Sequence, residues 1–432
     1  MRTAFLAVAW VLTRVGVVWL LLGPHEWVNG DGAYFQMSLD ALPTQGLEHT
    51  LVEYPLPALG VLAVPWMLVG LTGIAFTHLL IAAAVLTDLA FALVLRFGSG
   101  SRWGLPCLAW VLGVPLLGAT SFARFDLVPG VLAGAALLLV VRRPAVALTA
   151  ATVATAVKLW PVLVVPGMLG AVHRVRRLTA LVIALGTAFA AGTVVVSSVG
   201  RLLSPLTYQA VRGLQIESVA ATPAILAWRT DPVTTRIFYA ASHSYEITGP
   251  QVPALQTLTT VATVLLGVGL LAAWAWTLVL LARGERISAD GAVWLALAAV
   301  SGFVVTGKVL SPQYLLWLLP MAAAGLAVVG ASRTRLAVWT GLLLLACGLT
   351  QLEFPVWYVT LTQRYGPVDR VVWALAGRNL LLVVLLAAAV TETVRALLPR
   401  VDAALGGDEA QCGIALERQA PGPDGSATRV LR

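Results

Sequence analysis

The basic residues of this chain are almost all arginine. Of its 28 Lys and Arg residues, only Lys158 and Lys308 are lysines. Each is followed by a proline and aromatic residues, in Lys158-Leu159-Trp160-Pro161 and in the segment from Lys308 to Tyr314. Lysine offers a compact ammonium charge, unlike the broad guanidinium of arginine. We therefore predict that both lysines bind an anionic group. The alternative is that they extend to a membrane interface, as basic side chains commonly do.

The composition indicates that much of the chain lies in lipid rather than in water. The chain has 432 residues, of which 59% are hydrophobic and only 11% are charged, whereas a soluble domain carries about 25% charged residues. Apolar runs near the ~20 residues needed to cross a bilayer recur along the chain. They lack the alternation of barrel strands. Because backbone groups in lipid must be satisfied internally, the prediction is an all-α, polytopic transmembrane helix bundle.

We predict about twelve spans, the first an uncleaved anchor. With this number both termini are cytoplasmic, and the arginine clusters between spans lie inside, as the positive-inside rule requires. The net charge of +8 is therefore not taken as a sign of nucleic-acid binding. Segments 23–73 and 201–254 become long outer loops, and 399–432 is a disordered cytoplasmic tail. The spans are 4–22, 74–96, 104–120, 127–141, 145–157, 160–172, 178–200, 255–282, 289–306, 313–331, 335–352 and 371–398.

Two apolar segments are broken by prolines. Residues 55–72 are placed along or partway into the outer surface, because a full span there would invert every later orientation. Residues 145–172 are too long for one ordinary span. They are interrupted at Lys158-Leu159-Trp160-Pro161, so we predict two short helices that meet near the outer face. Unwound backbone at that depth requires cover from protein or a water-filled cavity.

Two charged residues fall in the middle of predicted spans. Arg14 lies in the first span and Asp88 in the second, where an ionisable group costs about 2.5–3.5 kcal/mol on insertion scales. Counted from the cytoplasmic ends at 1.5 Å per residue, their depths agree within about 3 Å. We predict a structural ion pair between them.

Five segments, spread over residues 30–317, resemble a known family. They are Gly30-Asp31-Gly32-Ala33-Tyr34 with Glu53-Tyr54-Pro55, Arg124-Phe125-Asp126, Lys158-Leu159-Trp160-Pro161, Arg212 to Ser218, and Lys308 to Trp317. Together they resemble the polyprenol-phosphate-mannose-dependent enzymes of glycosyltransferase family 87, which have the membrane-embedded GT-C architecture. The resemblance implies a polyprenyl-phosphate-mannose donor, a lipid or glycan acceptor, inversion at the anomeric carbon, and an acidic catalytic residue in the first outer loop. It makes 1–398 one GT-C-like domain.

Asp31 matches that catalytic loop aspartate. Direct displacement on a sugar phosphate needs a base for the acceptor hydroxyl and cations for the leaving phosphate. Asp31 is the predicted base, although Asn29-Gly30-Asp31-Gly32 could also be a simple turn. The predicted phosphate ligands are Arg124, Lys158 and Lys308, with Gln313 and Tyr314 as neutral donors. Asp126 is expected to orient Arg124 or to bind sugar hydroxyls, and Tyr34 and Tyr54 are assigned to the sugar or acceptor.

The second outer loop supplies the last candidates. If 212–218 is helical, Arg212, Gln215 and Ser218 share one face, which is expected to recognise sugar or acceptor unless it merely packs the loop. Glu217 lies off that face and either supports the loop or joins the site. His49 and His243 lack metal-ligand spacing, so no metal or other cofactor is expected. Of the three cysteines, Cys107 and Cys347 lie in spans and Cys412 in the tail, which implies no disulfide framework.

Three other functions remain open at this point. A transferase could use another lipid-linked sugar, such as arabinofuranose or glucose, because sugar choice depends on cavity shape. A transporter or flippase of lipid-linked sugars would share the cationic outer pocket. It should also carry polar residues through to the cytoplasmic side, where the sequence is almost purely apolar apart from Arg14 and Asp88. A structural scaffold would need neither the two lysines nor the acidic loop.

Overall fold

The computed structural model describes residues 2–398, so the predicted tail 399–432, with Cys412, lies outside the described residues. The first part of the chain is helical: α1 (Arg2–Leu22), α2 (Gly30–Asp40), α3 (Leu42–His49), α4 (Leu56–Thr72), α5 (Phe76–Gly98), α6 (Gly104–Leu117), α7 (Thr120–Ala123), α8 (Leu127–Leu139), α9 (Pro144–Val157) and α10 (Val165–Ala171). A 3₁₀ turn, Trp160–Val164, precedes α10.

The second part adds one antiparallel hairpin, β1 (Arg236–Tyr239) and β2 (Tyr245–Thr248). Its helices are α11 (Val175–Val196), α12 (Val199–Ala210), α13 (Thr222–Thr230), α14 (Val252–Ala282), α15 (Ala289–Thr306), α16 (Leu315–Val328), α17 (Arg333–Gln351), α18 (Tyr358–Gln363) and α19 (Val368–Leu397). A π-helical segment, Leu352–Val356, continues α17.

Each of the twelve predicted spans falls on a helical segment. Within residues 2–398, seven helices are long and apolar enough to cross a membrane: α1, α5, α11, α14, α15, α17 and α19. The other predicted spans, 104–120, 127–141, 145–157, 160–172 and 313–331, form shorter apolar helices, as does 56–72. The chain is therefore a helical, membrane-embedded protein, and the number of spans stays a prediction. The interruption at Lys158 is present, since α9 ends at Val157 and the backbone of Lys158 is extended.

Glycines set the packing at the centre of the bundle. In α16 every residue from Leu315 to Leu326 is buried, and α8 packs directly on it. A Cβ at Gly130 would lie 2.2 Å from the Leu316 carbonyl oxygen, and one at Gly134 would lie 2.7 Å from that of Pro320. This small-xxx-small spacing lets the two backbones approach closely. It also brings the first residues of α8 next to those of α16.

The outer helices expose apolar rather than polar side chains. Phe5 on α1, Leu86 on α5, Ile183 on α11 and Leu265 on α14 are 61–70% exposed. A ring of apolar residues around a filled core is not a surface for water, because a soluble protein rarely exposes large contiguous apolar patches. These faces are therefore in contact with lipid.

The predicted ion pair between Arg14 and Asp88 is present. Arg14 Nη2 lies 2.9 Å from Asp88 Oδ1, and Arg14 Nε lies 3.0 Å from Oδ2, with both side chains buried. Trp10 Nε1 donates to Asp88 Oδ2 at 2.7 Å. Arg14 also donates to the carbonyl oxygens of Trp110 and Val111. The pair therefore joins α6 to the two helices of the prediction, α1 and α5.

Replacing Asp88 by alanine should destabilise the protein by about 3–5 kcal/mol, because Arg14 would remain buried without a counter-charge. Asp88→Asn keeps one acceptor oxygen, which can still bond to Arg14 and Trp10, and should lose less. Thermal unfolding in detergent and folded yield measure both. An Asp88→Asn variant with normal yield and no activity would instead assign Asp88 to catalysis.

The two predicted outer loops fold together over one end of the bundle. Segment 23–73 forms α2 to α4, and segment 201–254 forms most of α12, α13 and the hairpin. Arg201, 1% exposed, joins the two. It donates to the carbonyl oxygens of Leu47, Thr50, Leu51 and Tyr54 at 2.9–3.2 Å. We call this end of the bundle the site end. The opposite end is where α8 meets α9 and α14 meets α15.

Candidate functional site

The first feature of the site end is an ion pair between Asp31 and Arg124. Asp31 lies in the first turn of α2 and Arg124 follows α7 in an extended conformation. Arg124 Nη1 lies 2.5 Å from Asp31 Oδ1, and the side chains are 11% and 37% exposed respectively. The guanidinium also lies over the ring of Phe354, at 5.7 Å. Asp31 is thus held in place on one side and accessible on the other.

Asp126 has a different partner from the one predicted. It does not orient Arg124. Its Oδ1 accepts from Lys158 Nζ and from Trp317 Nε1, both at 2.6 Å, because α8 places it between the end of α9 and the start of α16. Oδ2 is buried and has no partner among residues 2–398.

Lys158 lies in an aromatic setting. Its Nζ is 5.3 Å from the ring centre of Tyr54 and 5.6 Å from that of Trp317, distances at which a cation and a ring attract. The side chain is 19% exposed. Lysine has three donors, so those not used by Asp126 can bind an anion. The structure therefore brings Lys158, Asp126 and Tyr54 together, and Trp317 joins them.

Lys308 belongs to a neighbouring group. Its Nζ donates to the Ala210 carbonyl at 2.9 Å, and its own carbonyl accepts from the Gln215 amide. Tyr314 stacks on Trp317, with ring centres 3.8 Å apart, and so links the surroundings of Lys158 to this group. The side-chain amide of Gln313 accepts from Ser311.

The helix considered for 212–218 does not form. Gln215 pairs with Glu246 of β2 in an isolated bridge, and backbone bonds join Ile216 to Tyr245 and Leu214 to Ile247. Residues 214–216 pair with β2 because the hairpin offers a strand edge, and a turn closes from Gln215 to Ser218, so the prediction of one shared face is wrong. The Arg212 side chain donates to Ser244, Gln215 is buried, and Ser218 caps the Val219–Ala221 turn.

A buried charged cluster beside this segment was missed by the sequence interpretation. Glu217, Glu353 and Arg378 are all at most 1% exposed. Arg378 Nη2 donates to the Glu217 carbonyl at 2.9 Å and lies 3.5 Å from Glu353 Oε2. Asn379 donates to Ser218 O and Thr222 Oγ1. The sequence does show Arg378 inside the apolar segment 371–398, which indicates a buried charge. Its partners could not be identified without the fold. The cluster joins the 212–218 segment to α17 and α19 through the Glu217 backbone carbonyl, and the role of the Glu217 side chain toward sugar or acceptor stays a prediction.

The charge state of Glu217 should make stability depend on pH. Burial, and then the charge of Glu353, raises the pKa of its carboxyl. The folded protein therefore binds this proton more tightly than the unfolded chain. The free energy of unfolding falls as pH rises from the ordinary glutamate pKa, about 4.3, towards the raised value. Glu217→Gln should flatten this fall, whereas the exposed Glu285→Gln should not. Unfolding in detergent between about pH 5 and about pH 8 measures the slope; equal slopes in wild type and Glu217→Gln would contradict the assignment.

A series of aromatic rings begins beside the Asp31–Arg124 pair. Phe354, below Arg124, contacts Trp27 and Tyr358. From Trp27 a chain of neighbouring rings continues, with 5.1–6.4 Å between successive ring centres. It ends at Tyr34, which is three residues after Asp31 on α2. We call the series the aromatic arc: Trp27, Tyr358, Tyr245, Tyr239, His243 and Tyr34. Trp27, Tyr34 and Tyr239 are 37–59% exposed, so these three members of the arc are accessible to a ligand.

Among residues 2–398, no group of three or more His, Cys, Asp or Glu side chains is placed to hold a metal ion. Metal independence stays a prediction. Fold and composition define the class, an α-helical protein embedded in a membrane. No protein-family model matches the chain, and neither a curated protein nor a solved structure matches it.

Proposed function

We propose that the protein is an integral-membrane glycosyltransferase. It transfers a hexose, mannose by the motif resemblance, from a polyprenyl-phosphate-sugar donor to a lipid or glycan acceptor, with inversion. The observation that carries the proposal is the double role of Arg124-Phe125-Asp126. Arg124 holds the candidate base Asp31, and Asp126 holds the candidate phosphate ligand Lys158. Two residues of chain span at most about 7 Å, so one short segment contacts both the candidate base and the candidate phosphate ligand.

The proposed reaction is a single displacement. Asp31 takes the proton of the acceptor hydroxyl while its oxygen bonds to the anomeric carbon, and the bond from that carbon to the phosphate oxygen breaks. The bonding electrons leave with the polyprenyl phosphate. Lys158 and Arg124 stabilise the charge that develops on it, and Lys308 adds a third cation. The site end then faces outward, with both termini cytoplasmic.

An apolar groove supports a lipid-linked donor. It has a volume of about 460 Å³ and lies between α4, α5, α9 and α11. Its lining includes Val157, the residue directly before Lys158. A polyprenyl chain in this groove would therefore place its phosphate beside the Lys158 ammonium. The aromatic arc supports a sugar-containing acceptor, because ring faces pack against the apolar faces of sugars while the tyrosine hydroxyls can bond to theirs.

Filling the groove should weaken donor binding. Gly60 lines it, and an added Cβ there meets no atom within 4 Å, so Gly60→Leu is expected to raise the donor KM with little change in stability. Gly70→Leu is the control, since Gly70 is also on α4 with open space around it but does not line the groove. Donor titrations in a transfer assay test this. Equal KM values in both variants would remove the groove from donor binding.

The function itself is tested with purified protein in vesicles. Radiolabelled polyprenyl-phosphate-mannose is added with lipoglycan acceptors, and transfer is separated from movement of intact donor across the bilayer. Label on the acceptor is the expected result. Movement without transfer would identify a flippase. Transfer only from arabinofuranose or glucose donors would retain the enzyme class and replace mannose.

A further inference from the structure

A second apolar groove lies at the opposite end of the bundle, away from the candidate site. It has a volume of about 510 Å³ and runs between α14 and α19, with Leu295 and Ala298 of α15 also in its lining. Its α14 lining extends from Leu265 to Trp276, which at 1.5 Å per residue is about 16 Å. The groove is therefore long and narrow, the shape of a hydrocarbon chain.

The groove offers no unpaired hydrogen-bonding group. Its polar side chains are Thr393 and Trp276. The Thr393 hydroxyl donates to the Ala389 carbonyl, and the Trp276 indole donates to the Leu397 carbonyl. A polar occupant would lose its bonds to water without replacement, so the groove suits an apolar chain.

Two exposed arginines, Arg283 and Arg286, lie in the loop that follows α14, which forms one wall of this groove. The Arg283 guanidinium is 6.0 Å from the ring centre of Trp276. Arg286 contacts His173, which brings the start of α11, with Arg174, Arg176 and Arg177, to the same surface. Glu285 is the acidic residue of this loop. Within residues 2–398, no salt bridge joins Arg283 or Arg286 to a carboxylate. By contrast, Glu392 on α19 already pairs with Arg335 and Arg395.

We propose that this groove binds one anionic phospholipid, with an acyl chain between α14 and α19 and the phosphate against Arg283 and Arg286. The general preference of arginine for one side of a membrane would put cations at this end of the bundle. It does not account for an apolar groove whose α14 wall leads to two arginines that have no carboxylate partner within residues 2–398. Charge complementarity selects an anionic headgroup over a zwitterionic one, since a basic residue near such a headgroup contributes about 1 kcal/mol.

The test is native mass spectrometry of the full chain in detergent, with equimolar dioleoyl phosphatidylglycerol and dioleoyl phosphatidylcholine. These lipids share their chains and differ in headgroup charge. One phosphatidylglycerol per protein should be retained in preference to phosphatidylcholine. Arg283→Gln with Arg286→Gln should weaken retention of phosphatidylglycerol by about 30-fold and leave phosphatidylcholine unchanged. Arg143→Gln, an exposed arginine at the same end of the bundle, is the control for charge.

A glycine pair separates groove binding from general detergent exchange. Gly269 lines the groove and Gly267 does not, although both are on α14 and neither has an atom within 4 Å of an added Cβ. Gly269→Leu should abolish phosphatidylglycerol retention, and Gly267→Leu should not. Equal retention in the two variants overturns the proposal. So does a dimer that Gly269→Leu abolishes, because a second copy would then be the occupant. A gain in retention on deletion of 399–432 would likewise make that segment the occupant.

Discussion

Asp31→Asn should reduce the rate of sugar transfer by about 10²–10⁴-fold, the usual contribution of a general base. The asparagine has nearly the same shape and still accepts a hydrogen bond from Arg124, but it cannot take the acceptor proton. The effect is therefore expected in kcat, with donor KM close to that of the wild type. Single-turnover transfer and donor titrations measure the two quantities separately.

Asp40→Asn is the matched control for that variant. Asp40 ends the same helix, α2, and its carboxylate accepts from the Trp66 indole at 2.7 Å, a bond that asparagine can keep. Its rate should equal that of the wild type. Near-normal turnover in Asp31→Asn would show that Asp31 is not the base. A rise in donor KM without loss of kcat would show that the carboxylate only positions Arg124.

Lys158→Met has the second largest expected effect, because it changes both activity and stability. A hydrogen bond to a charged group contributes about 1.5–3 kcal/mol, so losing the bond to the donor phosphate should lower kcat/KM by about 10- to 150-fold. The substitution also leaves Asp126, 1% exposed, without its counter-charge. Removing one partner of a buried pair costs about 3–5 kcal/mol.

A second substitution separates the two effects. Lys158→Met with Asp126→Asn removes both charges, so stability should largely return while transfer stays low. Lys308→Gln, which loses only the bond to the Ala210 carbonyl, should keep normal stability and show a smaller loss of transfer. Thermal unfolding and donor-dependent rates in the same detergent decide the outcome. If activity returned together with stability in the double variant, Lys158 would be a structural residue and the phosphate would bind elsewhere.

The apolar segments of the sequence determined which residues form the helices of the bundle. The helices fall where the apolar segments predict them, because burial in lipid requires long apolar helices and this requirement acts locally on the chain. The Arg14–Asp88 pair was predictable for the same reason, since depth along two regular helices can be counted. The interruption at Lys158 could be predicted from the sequence, because proline and glycine tend to break helices.

The partners within the site were decided by tertiary structure alone. Asp31 and Arg124 are 93 residues apart. Glu353, in the π-helical segment after α17, meets Arg378 of α19, and Asp126 meets Trp317 through the close packing of α8 on α16. The 212–218 segment has the spacing of a helix, yet residues 214–216 pair with β2 because the hairpin supplies backbone partners. The sequence by itself thus determined that the chain lies in a membrane and where its helices form, because both depend on residues that are neighbours along the chain. The pairing of charges depends on side chains from distant segments, and only the packed bundle specifies it.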